Sequence, residues 1–254
     1  MPTMLQKNQP VKKVLPAIFL LDSSYSMNET DKMTQINPIG ALNSAIENLL
    51  PELENFNNNN KEVEVRIAVM TFNSEVKWII GESEPVTPEE ARNTWSAITA
   101  DGLTCMGNAF TNLNQKLSIE HGFLPNNCQF VAPLIMLFSD GEPTDDVKGG
   151  LNELQENDWY RFSARIAIGY GTDCNYDVLK KFTRNSETVF RADSIPALEK
   201  FIKLTTLSSI KSNVGAPKGK NIDPDDNTAK AADIIQSQGV LEEKGDNDWD
   251  NFLK

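Results

Sequence analysis

AIFLLDSSYSM, residues 17–27, sets one carboxylate and three serines directly after an apolar run. The run begins at Val14, and VLPAIFLLD (14–22) carries no polar side chain before Asp22. A continuous apolar segment of this length reads as a strand covered on both faces, as in a parallel sheet. An unpaired carboxylate is costly to bury, so a strand that ends on Asp22 delivers it to an edge of the sheet. VAPLIMLFSD (131–140) repeats the pattern and ends on Asp140.

Working outward, strand-like and helix-like segments alternate. NPIGALNSAIENLLPELENF (37–56) places Ile39, Leu42, Ile46, Leu49, Leu50 and Leu53 at helical spacing, with Pro51 expected to bend the helix or begin a new turn. NNNN (57–60) reads as a loop, 63–72 as a second strand and 76–80 as a short third one paired back on it. Pro88 followed by two glutamates opens a helix over 88–98, and 106–122 reads as the next. A weaker helix, broken by two glycines, is expected over 146–162. Strands at 164–171 and 188–192, a short helix at 175–184 and a closing helix at 195–214 complete the series. This order predicts an α/β fold, a doubly wound, Rossmann-like, mostly parallel sheet flanked by helices. Sites in such sheets form beyond the carboxyl ends of the strands, where Asp22 and Asp140 emerge together if both strands are central.

The boundaries follow: a lead-in at 1–13, one domain at 14–212, and from 213 a tail rich in Asp, Asn, Lys and Gly. Its composition predicts disorder. Its end, DWDNFL (248–253), gathers Trp249, Phe252 and Leu253 among acids and could dock on a partner. The formal net charge of −12 argues against nucleic acid and against an anionic membrane. Cys105, Cys128 and Cys174 are too widely spaced for a zinc or disulfide framework and read as reduced thiols. Residues 11–21 combine lysines with an apolar run but lack a small-residue cleavage site, and no segment reaches a membrane span. A cytoplasmic protein is expected.

Three loops carry the chemistry: DSSYS with Asp22, Ser24 and Ser26; DGLTCMG with Thr104 ahead of a helix; and SDGEPTDD with Asp140. Two carboxylates and three hydroxyls offer oxygen alone, which suits Mg²⁺ or Mn²⁺ rather than zinc. A D-x-S-x-S turn can also serve as a helix cap, and Asp145 and Asp146 read as caps of the helix that follows. Asp173 ends a strand or caps a helix. The sole histidine, His121, lies at a helix end and reads as solvated.

DSSYSM, the T-x-x-G of Thr104–Gly107 and SDGEPTD together resemble the metal-ion-dependent adhesion site of the von Willebrand factor A domain, over residues 14–212. The resemblance implies a doubly wound α/β domain in which Ser24, Ser26 and Thr104 ligate the metal directly, with Asp22 and Asp140 acting directly or through water. It also implies that an acidic residue of a partner protein completes the coordination. IFLLDSSYSM, FSDGEPTDD and IAIGYGTDCNYDVLKKFT are similar to the bacterial tellurite-resistance TerY group. Tyr25 stands where a small glycine is usual and Leu103 where glycine is common. Neither is a ligand position, so the departures bear on the partner.

Two other readings compete. Asp after a first strand is shared with D-x-D-x-T phosphoryl-transfer hydrolases, but the third position here is Ser24, and neither a G-x-S-x-G elbow nor a G-x-x-x-x-G-K-[ST] loop is present. No catalytic activity is expected. An adaptor subunit of an AAA-type ATPase or chelatase would use the same metal loops.

Overall fold

The computed structural model describes residues 12–30, 37–118, 122–123, 130–140, 142–170, 174–192, 206 and 223–237. Six strands form one sheet: β1 (Lys13–Asp22), β2 (Val63–Phe72), β3 (Val76–Ile80), β4 (Leu134–Ser139), β5 (Ala164–Tyr170) and β6 (Val189–Ala192). Their order is β3-β2-β1-β4-β5-β6. All neighbours run parallel except β2 and β3. β1 lies between β2 and β4, so the order reverses there and a crevice opens past its carboxyl end.

The apolar run in β1 is covered on both sides. Leu15, Ala17, Phe19 and Leu21 join one core with α1 (Pro38–Asn59), while Ile18 and Leu20 join the other. That second core takes its cover from α3 (Met106–Lys116), α4 (Val147–Gln155), α5 (Asp158–Phe162) and α6 (Tyr176–Thr183). α2 (Pro88–Thr94) is shorter than expected and begins with a reciprocal cap between Thr87 and Glu90.

Three expectations change. α1 runs unbroken through Pro51 to Asn59, because Pro51 lies on the exposed face, where water can meet the carbonyl its missing N–H leaves free. The asparagines read as a loop end this helix instead. Asn57 donates to and accepts from the Val65 backbone, and Asn60 accepts from Glu62 and Val63 N–H. The helix expected over 146–162 is two helices, divided at Asn157, whose side chain caps α5. The glycines do not break it. Gly150 sits inside α4 where a Cβ would lie 2.3 Å from the Gly107 carbonyl, so bare backbone lets α3 and α4 meet.

The expectation of a disordered tail from 213 does not hold for residues 223–237. They include α7 (Asp226–Ser237), which buries Asn227, Thr228, Ala231, Ala232 and Ile235 and packs on β5. The turn before it holds Asp225, which meets the fully buried Arg165 of β5 and, at 3.4 Å, Arg184. Thr228 Oγ1 accepts from Arg165 N–H and donates to Ser163 C=O, and Asn227 donates to Phe162 C=O. The polar residues that made this stretch look like tail are the ones that attach it. The lead-in up to 11, the helix expected over 195–214 apart from Thr206, and the DWDNFL end lie outside the described residues.

Candidate metal centre

The register of the central strands sets the site. Leu21 pairs with Phe138, so Asp22 and Ser139 end their strands at one level and Asp140 follows. Ser139 Oγ donates to Asp22 Oδ2, and Ser24 N–H donates to Asp22 Oδ1 at 2.8 Å. Asp22 is fully buried. Burial first, and then the nearby Asp140 charge, raise its pKa to about 7, against the pull of the Ser139 and Ser24 hydrogen bonds. The chain therefore places two carboxylates close enough to repel and hides one from water. A bound cation reverses both penalties.

The hydroxyls lie beside them. A short 3₁₀ turn, Tyr25–Asn28, bends the chain after Ser24, and Ser24 Oγ and Ser26 Oγ stand 3.1 Å apart. Ser24 is buried and Ser26 half-buried. The second loop is pinned to the first by Asp101 N–H to Ser23 C=O (2.9 Å) and Tyr25 N–H to Gly102 C=O (3.0 Å). Gly102 has φ +75°, a left-handed turn that glycine adopts without strain. Thr104 is buried ahead of α3 and exchanges bonds with the third loop: its N–H donates to Thr144 Oγ1, and its C=O accepts from Thr144 N–H. Asp140 is half-buried. Its Oδ1 accepts from Glu142 N–H, and its C=O accepts from Asn175 N–H. Gly141 lies outside the described residues. The three loops are thus tied to one another by the backbone at one edge of the sheet.

Asp146 caps α4 through Gly149 N–H, as the sequence implies. Asp145 does something else. Its two oxygens accept from Gly107 and Asn108 N–H, both at 2.8 Å, and so cap the start of α3 across the fold. This clamp between the second and third loops, the Ser139 hydroxyl and Thr144 are parts of the site that the sequence did not mark. The only signal was their place next to Asp140. Cys174, under the third loop, has its thiol pushed up to about 12 by burial and then by Asp140, so it stays protonated. Asp173, His121 and Cys128 lie outside the described residues.

Among the described residues no three His, Cys, Asp or Glu side chains gather in a metal-holding group. The oxygen donors on these loops are hydroxyl as well as carboxylate. Asp22, Ser24, Ser26, Thr104 and Asp140 supply that mixture on adjoining loops, which fits a hard divalent ion.

Solved structures share this architecture. Proximal thread matrix protein 1 from the mussel byssus aligns with a TM-score of 0.57 at 17% identity, covering 76% of this chain and 47% of that one. A form of that protein with a zinc-occupied MIDAS motif aligns with a TM-score of 0.57 at 18% identity and the same coverage. The von Willebrand factor type A protein from Catenulispora acidiphila aligns with a TM-score of 0.54 at 15% identity, over 78% of this chain and 42% of that one. This chain thus spans about half the length of these solved relatives or less. No curated protein matches the chain. The family model of the von Willebrand factor type A domain matches residues 18–204, from within β1 through all six strands. With its sheet order and the three loops at the carboxyl edge, the chain belongs to the von Willebrand factor type A domain family.

Proposed function

We propose that this chain is a non-catalytic protein-interaction module that grips a carboxylate of a partner protein through Mg²⁺ or Mn²⁺. Asp22, Ser24, Ser26, Thr104 and Asp140 hold the ion, directly or through water. The observation that carries this reading is the buried Asp22, placed beside Asp140 and among hydroxyls, an arrangement that costs free energy without a cation. Only two of the five donors are charged, so affinity for free metal is weak, on the order of 10⁻⁴–10⁻³ M for sites of few charged ligands. A partner carboxylate adds a third charge, and by linkage metal and partner strengthen each other. Zinc in the motif of the mussel protein supports divalent occupancy. The all-oxygen donor set here favours the harder ions.

The role that fits best is that of a cytoplasmic adaptor similar to the bacterial TerY group, in tellurite resistance or a related stress response. It rests on the sequence stretches that resemble that group. Neither nucleic acid nor membrane is a partner in this reading. The net charge of −12 opposes both, and among the described residues no helix is long and apolar enough to cross a membrane. An adaptor of an AAA-type ATPase or chelatase is the second reading, since it would use the same loops.

The test pairs metal titration with capture of partners. Mn²⁺ binding should be lost in Ser24→Ala/Asp140→Ala, and a partner captured in Mg²⁺ should be lost in EDTA and in that variant. A partner retained in both controls would place binding on another face. Its identity, as a tellurite-resistance protein or an AAA-type ATPase, separates the two adaptor roles.

A further inference from the structure

A cleft of about 570 Å³ is lined by Gln155, Glu156, Arg161, Lys181 and Arg184. α4 follows β4 and leads back to the start of β5, and α6 follows β5 and leads back to the start of β6. Their carboxyl ends therefore bring these residues to the edge where the parallel strands begin, opposite the metal loops. Three cations face one carboxylate here, against the net charge of −12 on the whole chain.

Basic residues near a helix end often serve its free carbonyls. At the end of α6 other groups already do so. Lys180 C=O accepts from Arg184 N–H, Lys181 C=O accepts from the Gln155 side chain at 3.0 Å, and Phe182 C=O accepts from Tyr160 Oη. The cations themselves are poorly neutralised. Lys181 has no ion pair among the described residues. Arg161 meets Asp158 at 3.2 Å, but that carboxylate is 77% exposed and the pair is worth little in water. Arg184 shares Asp225 with the fully buried Arg165, so one carboxylate serves two guanidiniums. Arg184 also takes a left-handed φ of 59°, where glycine is the usual and less costly residue. The chain keeps a guanidinium at the cleft in place of a relaxed turn.

The lining has no aromatic or aliphatic side chain. A nucleobase or an acyl chain finds nothing to stack on or bury against. Two guanidiniums and an ammonium suit a compact anion with several acceptor oxygens, which takes forked bonds from Arg and a point charge from Lys. We propose that this cleft binds a phosphate dianion, carried on a phosphorylated side chain of a partner protein or as free phosphate. Glu156 repels further acidic groups beside that phosphate. The site is independent of the metal reading, and its distance from the metal loops lets both be occupied at once.

The experiment is a nuclear magnetic resonance titration of the full chain in EDTA, reading the side-chain Nε–H signals of Arg161 and Arg184. The probes are inorganic phosphate and a glycine pentapeptide with a central phosphoserine. Both signals should shift saturably with each probe. Tighter binding of the phosphopeptide assigns the site to a phosphoprotein, and equal affinity assigns it to free phosphate. Lys181→Gln and Arg184→Gly should each weaken binding about tenfold, a loss of about 1.4 kcal/mol. Glycine suits the left-handed position, so Arg184→Gly should stay folded, with Tm as the check. No saturable shift below about 10 mM, binding indifferent to both variants, or equal binding of a pentapeptide with aspartate in place of phosphoserine would overturn the inference. Mn²⁺ binding should be unchanged in both variants, so failure of the metal reading registers separately.

Discussion

Removing the carboxylate of Asp225 should destabilise the protein more than removing the cation it serves. Arg165 is fully buried in β5. Its Nη2 donates to Asp225, its Nη1 donates to Tyr160 C=O at 3.1 Å, and its guanidinium lies 4.9 Å from the Tyr160 ring centre. Its Nε has no partner among the described residues. Breaking a buried pair from one side costs about 3–5 kcal/mol, because the other charge stays behind. Asp225 is 40% exposed, and solvent screening brings the expected loss for Asp225→Asn to about 2–3 kcal/mol. Asn keeps the shape and tolerates the left-handed φ of 43° at this position. Asp225→Ala loses that tolerance and adds about 1 kcal/mol. Arg165→Met removes the buried charge together with its unpartnered Nε. Nothing is then stranded: Asp225 keeps Arg184 at 3.4 Å, and Tyr160 C=O keeps Ser163 Oγ at 2.6 Å. Its cost should stay within about 1 kcal/mol. Urea unfolding at constant m-value measures all three, and at about 2–4 °C per kcal/mol Asp225→Asn should lower Tm by about 4–12 °C. An Arg165→Met variant as unstable as Asp225→Asn would refute the reasoning.

Two further outcomes follow from the site. With EDTA present, stability should fall as pH rises from about 4 to 7. Asp22 titrates near 3.9 unfolded and about 7 folded, so over that window the folded state holds the extra proton and loses relative stability on giving it up, by up to about 4 kcal/mol. Mg²⁺ should flatten the decline and Asp22→Asn should abolish it; a flat Tm profile in EDTA for wild type would contradict the burial argument. Asp145→Ala removes the cap from α3 and should cost about 1–2 kcal/mol, with weaker Mn²⁺ binding because the second and third loops come apart. Unchanged stability would mean that backbone bonds alone hold the loops.

Much of the fold was legible because its signals are local. Apolar runs ending on Asp22 and Asp140, and helical periodicity in between, suffice for a doubly wound sheet with a site at its carboxyl edge. The candidate donors were legible for the same reason, since each sits at a strand end or ahead of a helix. Asn57 reads as loop because its partner, the Val65 backbone, comes from the next strand, and Pro51 is accommodated in α1 because packing leaves it on the exposed face. Composition likewise misjudged α7: Asp225, Asn227 and Thr228 look like tail residues until Arg165 and the Phe162 carbonyl, some sixty residues earlier, supply their partners.

The sequence by itself determined which residues could reach the sheet edge and which chemistry they bring, because alternation of apolar runs and chain order are properties of the chain. Only the tertiary structure decided that Asp22 is buried against Ser139, that Asp145 reaches back to α3, and that α7 belongs to the domain. Each of these depends on a partner distant in sequence. The free energy of a buried polar group is set by what it meets across the fold.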